Sequence, residues 1–300
     1  MDFKGKTAVV TGGSSGIGKA TARLLASEEA NVFIVARDQQ GLNQALEEIR
    51  EEGTSPGQEL GSFAANVADY EQVKAVLEMI REAGWGPDIL INCAGTVYPG
   101  YVEELPLSTF REQMDVNFFG TVHTVKAVLP HMMAQRKGHI VNVSSVGGVA
   151  GGFGYTAYAA SKFAVYGFTE ALRAEMKPYG IKVSLVLPAD TDTPQLQQER
   201  EIQPLEIKYI SAAARPKQLN RPGEFIAHWL TRWLLTDDGK PMSADRVAAA
   251  ILRGIRRGDF LIIPDATLRV VFPLRGFFIP LANWAQDRLT VVARRERGAH

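Results

Sequence analysis

Thr11-Gly12-Gly13-Ser14-Ser15-Gly16-Ile17-Gly18 is the stretch on which the reading of this chain turns. Immediately before it, Thr7 to Thr11 is a short β-branched run of strand character, and immediately after it Ile17 to Ser27 carries a helical apolar pattern. A strand, a glycine-rich bend and a helix in that order bring backbone N–H groups and a helix N-terminus onto one spot, which suits an anion. Gly12 permits the tight bend, Gly16 lets the backbone approach a pyrophosphate, and Gly18 lets the helix pack closely. Ser14, Ser15 and Ile17 stand between these glycines and belong to the same candidate dinucleotide cradle. An ordinary strand-to-helix turn is the plainer explanation of clustered glycines; the strand and helix on the required sides weigh against it.

Working outward, strands are expected at Asn31 to Ala36, Ser62 to Asn66, Ile89 to Asn92, His139 to Val143, Lys182 to Leu187 and Phe260 to Ile263. Helices are expected near Gln40 to Glu52 and Glu71 to Ala83, and from an N-cap at Ser243 to Arg257 with Gly258 after a basic last turn. Short β-branched runs alternating with amphipathic helices make a parallel sheet. The expected fold is therefore α/β: a Rossmann-type, doubly wound, parallel seven-stranded sheet with helices on both faces. It occupies residues 1–264 as a single domain. Residues 190–242 break the rhythm as a loop insertion at a strand's carboxyl end, where such sheets bind substrate. Residues 265–300 form an amphipathic, basic C-terminal extension.

Composition narrows the function. The 300 residues hold 33 Lys plus Arg and 33 Asp plus Glu, a formal net charge of zero, which argues against a general nucleic-acid binder. Hydrophobic content of 46% with 22% charged residues is enough to build a core. The single cysteine, Cys93, excludes an intramolecular disulfide and suits a reducing, cytoplasmic compartment. Residues 1–6 lack a signal-peptide core, and no window holds 18 uninterrupted apolar residues. The five histidines, His123, His131, His139, His228 and His300, have no metal-ligand spacing, so no metal is expected.

Five more positions carry chemistry. The second strand ends Ala36-Arg37-Asp38; Ala36 offers no carboxylate to a ribose 2′-hydroxyl, whereas Arg37 can pair a 2′-phosphate, which favours NADPH over NADH although Asp38 stands next door. Tyr158 and Lys162, at i and i+4, share a helix face, where an ammonium would lower the phenol's ordinary pKa of about 10 and make it a tunable proton donor. Ser145 follows a strand and could hold a carbonyl oxygen at its carboxyl end. Asn117 is a lone amide in an apolar helical pattern and must find a partner. Taken singly, each has an ordinary explanation: a packed aromatic, a cap, a satisfied core amide.

Together, the glycine motif, Asn92-Cys93-Ala94-Gly95, Asn117, Ser145, Tyr158 and Lys162 resemble the short-chain dehydrogenase/reductase superfamily in order and spacing, from Lys6 to about Pro264. The resemblance implies that Tyr158 protonates a carbonyl oxygen while a nicotinamide delivers hydride. It further implies that Ser145 orients that oxygen, that Lys162 lowers the Tyr158 pKa and binds the nicotinamide ribose, and that Asn117 supports a proton-leading water. Asn92, Ala94 and Gly95 would shape the cofactor floor, with Cys93 a small buried residue. Two positions depart from the pattern: Asn66, before Val67, replaces the usual adenine-contacting Asp, and Pro188-Ala189 replaces Pro-Gly.

A narrower resemblance rests on Gly154-Tyr155-Thr156-Ala157-Tyr158-Ala159-Ala160-Ser161-Lys162-Phe163-Ala164, on Pro188-Ala189-Asp190-Thr191-Asp192-Thr193-Pro194, and on Lys208-Tyr209-Ile210-Ser211. These strings are similar to 3-ketodihydrosphingosine reductases. The similarity implies a long-chain 3-keto lipid substrate and Thr191 and Thr193 on the nicotinamide side of the cofactor, and the superfamily resemblance implies a homodimer or homotetramer. Two features agree with a substrate at a bilayer surface and with peripheral membrane contact. Phe225, Ile226, Trp229, Leu230, Trp233 and Leu234 fall on one helix face, and the last fifty residues hold nine Arg against four acidic residues, interleaved with Phe272, Phe277, Phe278, Ile279, Leu281 and Trp284. Packing on the core or an oligomer interface explains either feature equally well. Reduction of another lipophilic ketone (a steroid, a 3-ketoacyl group or a retinoid) keeps the same chemistry, and a non-catalytic nucleotide sensor would not need Tyr158.

Overall fold

The computed structural model describes residues 2–52, 55–208 and 240–274, with residues 276, 284 and 287. Seven parallel strands form one sheet: β1 (Thr7–Thr11), β2 (Asn31–Ala36), β3 (Leu60–Ala64), β4 (Ile89–Asn92), β5 (Gly138–Val143), β6 (Ile181–Val186) and β9 (Leu261–Ile262), in the spatial order β3-β2-β1-β4-β5-β6-β9. The missing numbers, β7 (Thr191–Asp192) and β8 (Met242–Ser243), pair with each other in parallel outside the main sheet.

Strand periodicity explains why the strands read as nearly continuous apolar runs. Ala8, Val10, Val32, Ile34, Ile89 and Ile91 join one core cluster, whereas Val9, Phe33, Val35 and Leu90 join the other. Alternate side chains thus point to opposite faces, and both faces are covered. The first cluster takes in Leu25 of α1 (Gly16–Ser27), Leu42 of α2 (Gln39–Glu51) and Ile251 of α8 (Ala244–Arg257). The second takes in Ile80 of α3 (Tyr70–Glu82), Val125 of α5 (Gly120–Gln135) and Leu172 of α6 (Thr156–Met176). Helix α8 starts where the sequence places it, with Ser243 Oγ accepting from Arg246 N and Gly258 closing it at φ +76°.

Three expectations shift. The third strand is Leu60–Ala64, two residues earlier than the expected Ser62 to Asn66, because Leu60 pairs with Val32 and Ala64 with Ala36. Asn66 and Val67 therefore lie beyond the strand. The interrupted segment after β6 is not simply a loop: Thr193 Oγ1 accepts from Leu196 N and, with Pro194 at the first turn, starts α7 (Pro194–Ile202). Its remainder, including the Phe225 to Leu234 stripe, lies outside the described residues. Third, between α4 (Leu107–Gln113) and α5 the chain winds through a π-helical turn, Met114–Phe119, that holds Asn117. At the start of the C-terminal extension, Asp265 caps α9 (Ala266–Val271) and Leu268 packs on Leu185, Leu187 and Ile263. Most of residues 267–295 lie outside the described residues.

Candidate active site

The chain passes from β3 back across β1 to β4, so the loops after β1 and β4 splay apart at the carboxyl edge, the usual site for a ligand in an open α/β sheet. The glycine turn fills one side of that crevice. Gly12 and Gly16 have φ of +65° and +52°, left-handed values that other residues seldom adopt. A Cβ on Gly12 would come within 2.8 Å of the Ala94 backbone nitrogen, and one on Gly18 within 2.2 Å of the Gly12 carbonyl oxygen. The glycines thus let three backbone segments close on one another. Thr11 fastens the turn to the loop after β4, its Oγ1 accepting from Ala94 N at 3.3 Å. Across the turn, the Thr193 methyl lies about 3.0 Å from where a Gly16 Cβ would stand, so Gly16 and Thr193 face each other. Ser14, Ser15 and Ile17 line the same bend, and a phosphate cradle fits these residues.

At the end of β2, Arg37 is exposed and makes no ion pair among the described residues. Asp38 is already engaged, its carboxylate accepting from Gln40 N at 3.1 Å and Gly41 N at 2.9 Å as the cap of α2. Beyond β3, Asn66 Oδ1 accepts from Ala68 N and the Val67 carbonyl is met by His123 Nδ1.

Asn92 does not open into the crevice. It donates to Asn142 Oδ1 at 2.9 Å and accepts from Thr124 Oγ1 at 2.7 Å, all fully or nearly buried. Its amide is spent joining β4, β5 and α5, and it serves the edge by fixing where Cys93, Ala94 and Gly95 emerge. Burial pushes the Cys93 thiol up to about 12, so it is a packed side chain rather than a thiolate.

Tyr158, Lys162, Ser145 and Asn117 converge. Tyr158 lies in the first turn of α6, which begins at Thr156. Lys162 Nζ stands 5.8 Å from the centre of the Tyr158 ring, donates to the Val143 carbonyl at 3.2 Å and is buried. Ser145 follows β5; its Oγ accepts from Gly147 N at 3.0 Å, and it lies near enough to the Tyr158 phenol to pull that group's pKa down. Asn117 is nearly inaccessible and fully engaged: it accepts from Thr96 N at 2.7 Å and donates to the Thr96 carbonyl at 2.9 Å and to Ser161 Oγ at 2.8 Å. Ser161 in turn donates to the Tyr158 carbonyl at 2.7 Å. A Cβ on Gly95 would lie 3.1 Å from Asn117 Oδ1 and 3.4 Å from Lys162 Nζ, so these three meet at one point.

The electrostatics differ from the sequence expectation in one respect. Burial holds the Tyr158 phenol up to about 12, against the downward pull of Ser145, while the charges of Glu199 and Asp190 also push it upward. The nearby ammonium does not prevail: burial itself pushes Lys162 down to about 8. Tyr158 is therefore a firmly protonated donor near neutral pH. Pro188 and Thr191 hold the loop after β6, the Pro188 carbonyl accepting from Val146 N and Thr191 Oγ1 donating to the Ala189 carbonyl. Sequence reasoning gave no role to Thr96, Ser161, Glu199 or Gln203, whose importance is set by long-range contact. Tyr155 stood in a quoted string, but nothing local marks its partner.

Known proteins place this arrangement. The sequence model described as short chain dehydrogenase matches residues 6–204. A 3-dehydrosphinganine reductase from Danio rerio is 42% identical over 90% of this chain and 83% of its own length. A 3-ketodihydrosphingosine reductase from Mus musculus is also 42% identical, over 73% of this chain and 67% of its own. Among solved structures, a variant of the actinorhodin polyketide ketoreductase with NADPH superposes with a TM-score of 0.71 at 28% identity, over 86% of this chain and 95% of that one. A short chain dehydrogenase/reductase from Burkholderia phymatum in complex with NAD gives 0.74 at 26% identity, over 94% and 96%.

Proposed function

Because the chain belongs to the short chain dehydrogenase family and is an oxidoreductase, we propose that it reduces 3-ketodihydrosphingosine to dihydrosphingosine with NADPH. The observation that carries the chemistry is a protonated, half-buried phenol, close to a serine and beside a buried lysine, next to a glycine turn shaped for a dinucleotide. When bound, the reduced nicotinamide supplies a hydride to the carbonyl carbon. Tyr158 gives its proton to the carbonyl oxygen, whose negative charge would otherwise develop unpaired. Ser145 donates to the same oxygen and sets its distance from the phenol. Lys162, buried and cationic below pH of about 8, stabilises the phenolate left behind and reaches the nicotinamide ribose. Asn117, through Ser161 and Thr96, positions this end of α6 and supports the route by which a proton returns to Lys162.

The cofactor is held by Gly12, Ser14, Ser15, Gly16, Ile17 and Gly18 at the phosphates, by Asn66 and Val67 at the adenine, and by Ala94, Gly95, Pro188, Thr191 and Thr193 toward the nicotinamide. NADPH is favoured because Arg37 makes no ion pair among the described residues and Asp38 is engaged. The long-chain substrate is supported by the relatives named and by exposed Val102, Leu107, Ile202 and Leu205. They lie on segments near Tyr158: Gly100 bridges to Tyr155, and Tyr101 donates to Glu206 at 2.6 Å. Cytoplasmic location, peripheral membrane contact and a homodimer or homotetramer belong to the same proposal; among the described residues no helix is long and apolar enough to cross a membrane. The test is incubation of the purified protein with NADPH and the ketone. Dihydrosphingosine formed in proportion to NADPH oxidised is expected. A protein that binds NADPH and leaves the ketone unchanged overturns the reading.

A further inference from the structure

Three residues before Tyr158, the ring of Tyr155 stands 6.4 Å from that of Tyr158 at 66°. Its hydroxyl donates to Glu199 Oε1 at 2.6 Å and accepts from the Gln203 amide, which also reaches Glu199 Oε1 at 3.5 Å. Helix α7 is thus fastened to the start of α6 by a carboxylate and two neutral groups. Among the described residues no cation forms an ion pair with Glu199; its neighbour Arg200 turns to Asp190, 4.0 Å away. Burial raises the Glu199 carboxyl above the usual range, while the Tyr155 hydrogen bond pulls it down. Its charge is felt at the Tyr158 phenol.

A partly desolvated negative charge beside the proton donor gives no help to the reduction of a neutral ketone, whatever it adds to the fastening of α7. It also opposes any loss of the Tyr158 proton. A cation bound there would remove both costs. The substrate of the proposed function has this shape: 3-ketodihydrosphingosine carries an amine, protonated near neutral pH, on the carbon next to its carbonyl. We infer that Glu199, held in place by Tyr155 and Gln203, receives the ammonium group of an α-amino ketone whose carbonyl oxygen lies on Tyr158 and Ser145. It is a specificity-determining residue, and this assignment rests on the proposed function. Tyr155 and Gln203 occupy only one carboxylate oxygen, Oε1, and leave Oε2 to accept from the ammonium. A neutral 3-ketoacyl or steroid ketone would leave the carboxylate with only the more distant charge of Arg200 opposite it among the described residues, so the same residue attracts the amino ketone and disfavours its competitors.

The full-length protein with NADPH is assayed on 3-ketodihydrosphingosine and on the 3-ketone of equal length lacking the amine. The wild type should favour the amino ketone in kcat/KM by about 10- to 100-fold, the range of a charge-assisted hydrogen bond. In Glu199→Gln, which keeps the side chain's shape, that preference should collapse toward about one, while Glu199→Asp should retain part of it. Inhibition of the wild type by octadecylamine and octadecanol reads the same charge without a variant: the amine should bind at least about 10-fold more tightly. An undiminished preference in Glu199→Gln, or equal inhibition by amine and alcohol, overturns the inference and leaves the proposed function standing. A wild type that reduces the des-amino ketone and not the amino ketone overturns the proposed function and this assignment with it.

Discussion

Replacing Arg37 by Ala isolates the contact that would choose between the two nicotinamide cofactors. The side chain is exposed at the end of β2 and makes no ion pair among the described residues. Asp38 beside it is committed to two backbone N–H groups of α2. A ribose 2′ substituent at this edge would therefore meet an exposed guanidinium and an engaged carboxylate. Hydrogen bonds to a charged group contribute about 1.5 to 3 kcal/mol. Exposure screens the pair and points to the lower half of that range. Since about 1.4 kcal/mol is tenfold in Kd, Arg37→Ala should weaken NADPH by about 10- to 30-fold. NADH lacks the phosphate and should change less than about twofold. Fluorescence titration with each reduced cofactor measures both constants, and repeating it in high salt should narrow the difference between wild type and variant. Equal weakening of the two cofactors, or no change in either, would mean that Arg37 does not meet the 2′-phosphate.

Three other outcomes test the site and its frame. Tyr158→Phe should lose at least about 100-fold in kcat, the lower end of a general acid's contribution, with NADPH affinity nearly intact; near-normal turnover would remove Tyr158 from the reaction. Because Lys162 is cationic only below its pKa of about 8, kcat/KM for reduction should be level below that pH and decline above it; a profile flat through pH of about 9 would contradict the role given to its charge. His139, buried in β5 with Nε2 2.8 Å from Ser184 Oγ, is pushed down to about 4 by burial first, then by the charges of Lys182 and the N-terminus. Its folded-state pKa lies below the unfolded value of 6.5, so the stability tied to its neutral form is full above that pH and is lost as pH falls through about 4, on the order of 3 kcal/mol. Urea unfolding of wild type and His139→Gln across that window should show the pH dependence shrinking in the variant, and parallel curves would refute it.

What the sequence disclosed follows from how locally each feature is encoded. The glycine turn, six of the seven strands and the capped start of α8 depend on residues within a few positions of one another, and each stands where the pattern puts it. The β3 offset arises because strand ends are set by the neighbour's register: Leu60-Gly61 pairs with Val32-Phe33 although a glycine weakens its own strand signal. Helix α7 was hidden by polar composition, since Pro194 to Ile202 buries only Leu196 and so shows almost no apolar face. The π-helical turn has no propensity signature at all. Asp38 read as an ambiguity at the cofactor's ribose until its two backbone partners in α2 were visible. The expected depression of the Tyr158 pKa overlooked burial, which depends on residues throughout the chain.

The buried amides show why so local a motif set acts as one site. Asn142 donates to Thr169 Oγ1 of α6 at 3.0 Å while accepting from Asn92, which accepts from Thr124 of α5. Ser144 Oγ donates to the Lys162 carbonyl at 2.8 Å, and Asn117 reaches α6 through Ser161. Apolar side chains could fill the same volume, and ridges-into-grooves packing tolerates scatter in how two elements sit against each other. Hydrogen bonds between fully buried amides and hydroxyls do not, because a small rotation leaves a donor unsatisfied at a cost of about 1 to 3 kcal/mol. The bonds from Asn142, Ser144 and Asn117 tie α6 to a strand, loop or turn beside the crevice, and those of Asn92 tie β4 to β5 and α5. The rotation of α6 about its axis, and with it the aim of Tyr158 and Lys162, is thereby fixed to the same backbone that carries Ser145 and Gly95. The polar core is a positioning device, and its atoms need never touch substrate to govern the distance between phenol and carbonyl.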